Sequence, residues 1–208
     1  IPPLTADGER ISATMRSSWS DIPFDSPDDF NPLDHCVTRG LPASMFTFMY
    51  NSGIEIRQSP GYVIIRLELV HETRIVPVDG RPPLPGAITQ WLGESRGRWE
   101  GDTLVIETTN FRDESVYRGA NPDRLTLIER FTPIGPNRVE WRVTVDDPTT
   151  WTAPWTFAMP LTRDPEERII EYACHEGNRA MANILSAARA DERAGRSTVA
   201  PTAAEGER

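Results

Sequence analysis

The stretch GYVIIRLELVHETRIVPVDG, residues 61–80, decides the fold, because apolar and polar side chains alternate through most of it. Neighbouring side chains of a β-strand point to opposite faces, so this alternation predicts a strand with one buried face. The buried face is predicted to comprise Val63, Ile65, Leu67, Leu69, His71, Thr73 and Ile75. The opposite face is predicted to carry Arg66, Glu68, Glu72 and Arg74.

Further segments along the chain carry patterns typical of strands. They are GDTLVIETTNF (101–111), the hairpin LTLIERFTPIGPNRVEWRVTVDD (125–147), TAPWTFAMPL (152–161) and RIIEYAC (168–174). The stretch NRAMANILSAARADERAG (178–195) instead has the apolar spacing of a helix. Short strands at this spacing predict a mainly β fold, either an antiparallel lipocalin-like β-barrel or a strongly curved sheet, with a C-terminal α-helix.

The chain has 208 residues, which is enough for one sizeable core. Residues 1–34, rich in Pro, Ser and Asp, are predicted to form an extended N-terminal arm. Residues 35–194 are predicted to form a single β-barrel domain that includes the terminal helix. Residues 195–208 are polar and are predicted to be a disordered tail.

Composition argues against several classes of protein. The formal net charge is −9 at pH 7 and the arginines are scattered, which argues against a nucleic-acid partner. No apolar run approaches about 18 residues, so no membrane span is predicted. All 22 basic residues are arginine, which excludes a lysine Schiff base, a pyridoxal-phosphate anchor and a Walker lysine. The GxGxxG, GxxxxGK, GxSxG, HExxH and CxxC motifs are also missing from the sequence, and we expect no cofactor.

Cys36 and Cys174 lie far apart in the sequence. They predict either a disulfide, which would contribute about 4 kcal/mol in an oxidising compartment, or two buried thiols. The chain opens with Ile1, which is compatible with a removed signal peptide. We therefore favour a periplasmic or secreted location.

Two titratable residues are predicted to lie on otherwise apolar strand faces: His71, and Glu129 between Leu127 and Phe131. Each needs a partner, because burying an unpaired polar group costs about 2 kcal/mol or more. His71 is either a core histidine satisfied by a backbone carbonyl or a carboxylate, or a general acid or base. Glu129 is either the second acid–base group or half of a salt bridge.

The stretch EYACHEGN, residues 171–178, sets Cys174, His175 and Glu176 side by side before the predicted helix. A helix N-terminus favours negative charge, so Glu176 either caps the helix or, with His175, closes one end of a site. With Cys174 in a disulfide this corner is structural. A nucleophilic Cys174 is disfavoured, because adjacent strand residues point to opposite faces.

Two further groups leave alternatives open. His35, His71 and His175 form a zinc or iron site with a carboxylate only if the fold gathers them, because no pair has local ligand spacing. Trp151 and Trp155 share one strand face, which indicates either core packing or an aromatic wall around one small ligand.

Three long motifs resemble a widespread family of bacterial proteins, many of them exported, that has no established function. They are SRGRWEGDTLVIETTNF (95–111), VDDPTTWTAPWT (145–156) and EYACHEGN (171–178) with NILSAAR (183–189), and the likeness covers residues 36–189. The chain departs from the family at YNSGIEIRQSPGY, residues 50–62. The resemblance implies that ELVHETR, ERF and CHEGN belong to the shared pattern. It thereby draws attention to Glu68, His71, Glu129, Arg130, His175 and Glu176.

The leading hypothesis is a cofactor-independent lyase or isomerase that acts by acid–base catalysis on a small aromatic or apolar molecule. Lipocalin-like lyases such as the phenolic acid decarboxylases are an analogy in architecture. The predicted catalytic residues are His71, Glu129, His175 and Glu176. The predicted substrate-binding residues are Arg74, Arg130, Glu68, Trp151, Trp155 and Tyr172. The alternatives are an exported, non-catalytic protein that binds a small molecule, and a metal-dependent hydrolase; a homodimer is left open.

Overall fold

The protein is described by a computed structural model that covers residues 1–15, 24–113 and 117–196. Within these ranges strands dominate, and the α-helices are α1 (Ala6–Ser12) and α2 (Ala180–Arg193). A mainly β fold with antiparallel sheets and a C-terminal helix is therefore confirmed. No helix in the described ranges combines the length and the apolar character needed to cross a bilayer.

The chain divides into two compact units. The first, which we call the sheet unit, comprises Ile1–Ala13 and Arg39–Tyr172. The second, the helix unit, comprises Thr14–Thr38 and Ala173–Arg208. These boundaries differ from those of the arm, domain and tail, which stay a prediction. Most of the predicted tail, residues 197–208, lies outside the described residues.

The sheet unit contains two antiparallel sheets. The first has the order β1-β2-β3, at Ile54–Ser59, Tyr62–Leu67 and Thr73–Pro77. The second has the order β4-β5-β6-β7-β8, at Glu94–Glu100, Thr103–Thr109, Thr126–Gly135, Arg138–Asp146 and Trp155–Thr162. No ladder among the described residues pairs β3 with β4 or β8 with β1. A closed barrel is thus not found, and the lipocalin-like barrel stays a prediction.

The prediction of one continuous strand over residues 61–80 is wrong. β2 ends at Leu67, and a turn follows in which Val70 and His71 have left-handed backbone angles, with φ of 62° and 56°. β3 then returns antiparallel to β2 and sets Arg74 directly opposite Ile65. Directly opposite residues share a face, so the alternation changes phase across the turn. Arg74 and Val76 are buried as a result, whereas Thr73 and Ile75 are exposed.

The predicted strand RIIEYAC, residues 168–174, is also wrong, because the structure gives these residues no strand. The backbone groups of Ile170 and Tyr172 contact the side chain of His71 instead of a neighbouring strand. This segment is therefore held by a side chain on the turn between β2 and β3.

The inner face of the second sheet is covered by aromatic rings. Glu129 lies on this face between Leu127 and Phe131, as the alternation predicts. Trp151 is buried, and its ring lies 5.6 Å from that of Trp155, centroid to centroid. The same cluster contains Phe46, Tyr117, Trp141 and Phe157. These tryptophans thus pack in the core, and their predicted role as the wall of a ligand site stays a prediction.

The helix unit is held together by a disulfide between Cys36 and Cys174, with an S–S distance of 2.05 Å. The cysteines are 138 residues apart. From α2, Arg189 donates hydrogen bonds to the backbone carbonyls of Phe24 (2.9 Å) and Asp25 (3.1 Å). The helix is therefore tied to the segment before Cys36 by these bonds as well as by the covalent link.

Candidate functional site

His71 lies half-buried on the turn between β2 and β3. Its Nε2 is 3.1 Å from the carbonyl oxygen of Ile170 and 3.1 Å from the backbone nitrogen of Tyr172. In one tautomer Nε2 donates to Ile170, and in the other it accepts from Tyr172. The expectation that His71 lies on the apolar face of a strand is wrong, because the left-handed turn takes it off the sheet. The carbonyl oxygen of Ile170 is nevertheless a backbone partner of the kind predicted for a histidine with a structural role.

Tyr172 stacks on Tyr50 beside this histidine. The two rings are nearly parallel, at 9°, with centroids 6.3 Å apart. Burial raises the pKa of the Tyr172 hydroxyl, and a hydrogen bond with Tyr50 raises it further. Tyr172 therefore holds its proton more strongly than a free phenol, while Tyr50 is 48% exposed and offers part of its ring to solvent.

Glu68 is fixed on the same turn by contacts with the segment before β1. Asn51 donates from Nδ2 to Glu68 Oε1 at 2.6 Å, and the backbone of Glu68 donates to the carbonyl of Gly53 at 2.9 Å. A Cβ on Gly53 would lie 2.3 Å from Glu68 Oε2, so a side chain there would displace the carboxylate from its present position. These contacts define what we call the turn site: Tyr50, Asn51, Glu68, His71 and Tyr172.

The backbone in and beside the turn site adopts unfavourable conformations. Asn51, Val70 and His71 all have positive φ, at 50°, 62° and 56°. Such angles cost about 1–3 kcal/mol in a β-branched residue such as Val70, whereas asparagine and histidine adopt them more readily. Strain of this kind persists where the surrounding structure holds it, and it clusters at functional sites. The strain therefore motivates a functional hypothesis for this turn.

A small depression borders the turn site. It is shallow, because only about 10 Å³ of it is enclosed, which is room for about one water molecule. Leu67 and Leu69 line it from β2 and the turn, and Asn51 reaches it from the turn site. Phe46 and Phe48 add aromatic rings to the lining. The depression is thus mainly apolar, and the titratable groups of the turn site lie beside it.

A second polar cluster lies in the core, around Glu129 and Arg74. Arg74 on β3 donates from Nη2 to Glu129 Oε2 at 2.6 Å and from Nη1 to Oε1 at 3.1 Å. Arg74 Nη2 also contacts Ser95 Oγ at 3.2 Å and Thr108 Oγ1 at 3.3 Å. Trp141 Nε1 completes the cluster by donating to Glu129 Oε1 at 3.0 Å. This buried network joins five strands, from β3 to β7.

The burial of this pair decides what it can do. The side chains of Arg74 and Glu129 are 2% and 0% exposed. A bidentate ion pair sealed from water uses both groups for packing and leaves neither accessible to a ligand. Among the described residues, no hydrogen bond or ion pair connects Glu129 with His71. The fold thus pairs Glu129 with Arg74. It does not pair Glu129 with His71, the partner predicted from the sequence.

The remaining predicted site residues lie elsewhere. Arg130 is on the opposite face of β6, where it pairs with Glu100 at 2.8 Å. His175 and Glu176 are exposed in the helix unit, on a turn before α2. Glu176 does not cap α2, because the helix begins at Ala180, whose backbone nitrogen donates to Asn178 Oδ1.

In residues 1–15, 24–113 and 117–196, no group of three or more His, Cys, Asp or Glu side chains is placed to hold a metal ion. The predicted metal ligand His71 instead contacts the backbone of Ile170 and Tyr172. His35 Nε2 lies 3.1 Å from the carbonyl of Pro27.

Sequence reasoning missed Tyr50 and Asn51. Both fall in YNSG, residues 50–53, an Asn-Ser-Gly turn signal that precedes β1. That signal predicts a turn, but it does not reveal that Tyr50 stacks on a tyrosine far along the chain. Of the predicted residues, Glu68, His71 and Tyr172 meet in the turn site.

No protein-family model, no curated protein and no solved structure matches this chain. The resemblance to a family of exported bacterial proteins therefore stays a prediction, and what the protein does has to be inferred from the geometry of its own residues.

Proposed function

We propose that this protein binds a small, flat aromatic or apolar molecule at the turn site. The observation that carries the proposal is the Tyr50–Tyr172 stack, which is partly open to solvent beside an apolar depression. A flat ring gains both buried area and offset stacking against tyrosine, worth about 0.5–1.5 kcal/mol beyond the burial itself. The depression is too shallow to enclose a ring, so the ligand would lie against the exposed face of Tyr50.

Polar groups around the stack would orient such a ligand. Glu68 accepts from Asn51 with Oε1, and its Oε2 remains close to Gly53 at the edge of the depression. A ligand hydroxyl or amine that reaches this carboxylate would gain a charge-assisted hydrogen bond. We therefore expect ligands that combine a ring with one hydrogen-bond donor. An exported protein of this kind is compatible with the disulfide, which persists in oxidising compartments.

A second candidate function is the cofactor-independent lyase or isomerase, now centred on the turn site. It is favoured by the titratable side chains gathered there: His71, Glu68 and two tyrosines. Because the pKa of Tyr172 is raised, its hydroxyl stays protonated at neutral pH and is able to donate a hydrogen bond to a substrate, whereas His71 and Glu68 would move the proton. Neither candidate needs the enclosed cavity of a lipocalin-like barrel, and neither uses Glu129. No observation favours the metal-dependent hydrolase.

Calorimetric titration with a panel of phenols, aromatic acids and aromatic amines tests the proposal. A Tyr50→Ala variant is expected to weaken ligand binding about tenfold, because it removes the exposed half of the stack. Trp99→Ala is the matched control, since Trp99 is also a large exposed aromatic residue, 45% exposed, but lies on β4. Equal losses in both variants, or none in Tyr50→Ala, would contradict the proposal.

The same samples separate the two candidate functions. The compounds are recovered after incubation and compared with the starting material. A ligand recovered unchanged supports binding alone. A new product that fails to form with His71→Ala or Tyr172→Phe, although both variants still bind, supports the acid–base enzyme.

A further inference from the structure

A long exposed loop connects β3 with β4. Residues 79–90, DGRPPLPGAITQ, are exposed throughout. Leu84 and Ile88, two large apolar residues at its tip, are 38% and 47% exposed. Single exposed apolar residues are common, but two of them on one proline-rich loop indicate a surface for another molecule.

The backbone of this loop is held in place despite its exposure. Arg96 on β4 donates from Nε and Nη2 to the carbonyl of Pro82, at 3.2 and 3.1 Å. Asn110 Nδ2 lies 3.2 Å from the carbonyl of Pro85, 3.4 Å from that of Leu84 and 3.3 Å from that of Ile88. Arg96 on β4 and Asn110, which follows β5, thus contact four loop carbonyls, whereas the side chains of Leu84 and Ile88 are exposed.

The groups that hold the loop are themselves fixed. Arg96 is ion-paired with Glu94, a residue only 2% exposed. Asn110 has a left-handed backbone, with φ of 54°. At the start of the loop, Arg81 pairs with Asp79 and lies over the ring of Tyr62, 5.0 Å from its centroid. A loop that was only a spacer would not need this set of contacts.

Local chemistry defines the shape that is being held. Proline fixes its own φ near −65° and disfavours the helical region for the residue before it. Pro82, Pro83 and Pro85 therefore favour polyproline II geometry over residues 81–85, where the structure has no helix or strand. The segment Pro82-Pro83-Leu84-Pro85 also has the PxxP spacing that aromatic-lined grooves recognise.

We propose that residues 81–85 are a preformed polyproline II ligand for a partner protein whose surface carries a groove lined by tyrosine and tryptophan. Proline rings and Leu84 would pack against those aromatic side chains. Because the loop is already ordered, binding loses less conformational entropy than binding of a free peptide. The inference is independent of the proposed function, since no residue of the loop 79–90 belongs to the turn site.

The test uses the whole chain and isolated SH3 and WW domains as probes, because these domains read PxxP through aromatic grooves. Binding is measured by calorimetry and by amide chemical shifts. At least one probe domain is expected to bind the whole chain. Pro85→Ala and Leu84→Ala are each expected to weaken binding about tenfold. Pro133→Ala is the control, because Pro133 is an exposed proline at the end of β6 and should leave affinity unchanged.

Two further measurements address the preformed shape and the identity of the partner. Asn110→Ala keeps every proline but releases three carbonyls, so it should weaken binding several-fold, and a synthetic peptide of residues 79–90 should also bind more weakly than the whole chain. The proposal is overturned if no probe domain binds, if Pro85→Ala binds as tightly as the unaltered chain, or if the free peptide binds as well. Sedimentation tests whether the chain associates with itself. Self-association that is lost in Leu84→Ala would identify a second copy of this chain as the partner of the loop, and it would also overturn the proposal.

Discussion

Removing Arg74 is the perturbation whose effect follows most directly from the structure. Arg74→Met keeps most of the side-chain volume but deletes both bonds to Glu129 and those to Ser95 and Thr108. Glu129 would then be a buried charge with Trp141 as its remaining hydrogen-bond partner in the network. Breaking a buried pair in this way costs about 3–5 kcal/mol. That is a large part of a typical domain stability of about 5–15 kcal/mol.

Urea denaturation followed by tryptophan fluorescence measures this cost. The double variant Arg74→Met/Glu129→Gln removes both charges and keeps an acceptor for Trp141, so its destabilisation should be smaller than the sum of the two single variants by about 2 kcal/mol. Arg130→Met is the matched control, because Arg130 neighbours Glu129 in sequence but pairs with Glu100 in solvent. Its unfolding midpoint should not change.

A loss below about 1 kcal/mol for Arg74→Met, the value typical of solvent-exposed pairs, would refute the reasoning. Additive losses in the double variant would do so as well, because they would mean that the two groups do not interact. In either case Glu129 would have to be reconsidered as a group that reaches water and exchanges protons.

Three further outcomes are expected. Reducing the disulfide should lower the free energy of unfolding by up to about 5 kcal/mol, since it closes a loop of 138 residues, and equal denaturation curves with and without reductant would contradict this. Gly53→Ala should cost about 1 kcal/mol in the same assay by displacing Glu68 from Asn51, whereas Gly86→Ala, with no heavy atom within 4 Å of the added Cβ, should cost nothing comparable. Because the pKa of Tyr172 is raised in the folded protein, its contribution to stability is complete below the unfolded value of about 10 and is lost as pH rises through the folded value. Tyr172→Phe should therefore reduce the loss of stability in alkaline solution, and an unchanged pH profile would speak against this linkage.

The alternation of side chains did not predict β1 or β4, but it predicted β5 to β8, because burial of one face repeats every second residue. For the same reason it placed Glu129 correctly among Leu127 and Phe131. It failed at His71, because the turn depends on left-handed angles at Val70 and His71, two residue types that carry no turn signal. A glycine or asparagine at either position would have marked the break.

The partners of the titratable residues could not be predicted for a different reason. Arg74 becomes buried only because the turn reverses the phase of β3, and its partner Glu129 lies 55 residues further along the chain. The stack of Tyr50 on Tyr172 likewise joins two distant segments. No local pattern records such pairs, since each is set by how the sheet and the loops pack.

Mapping of amide chemical shifts during titration with the tightest small aromatic ligand tests the central claim most directly. Binding at the turn site predicts the largest shifts at Tyr50, Asn51, Leu69 and Tyr172, with the core network around Glu129 undisturbed. Shifts centred instead on the aromatic cluster of the second sheet, or spread evenly over the surface, would contradict the assignment of this turn as the binding site.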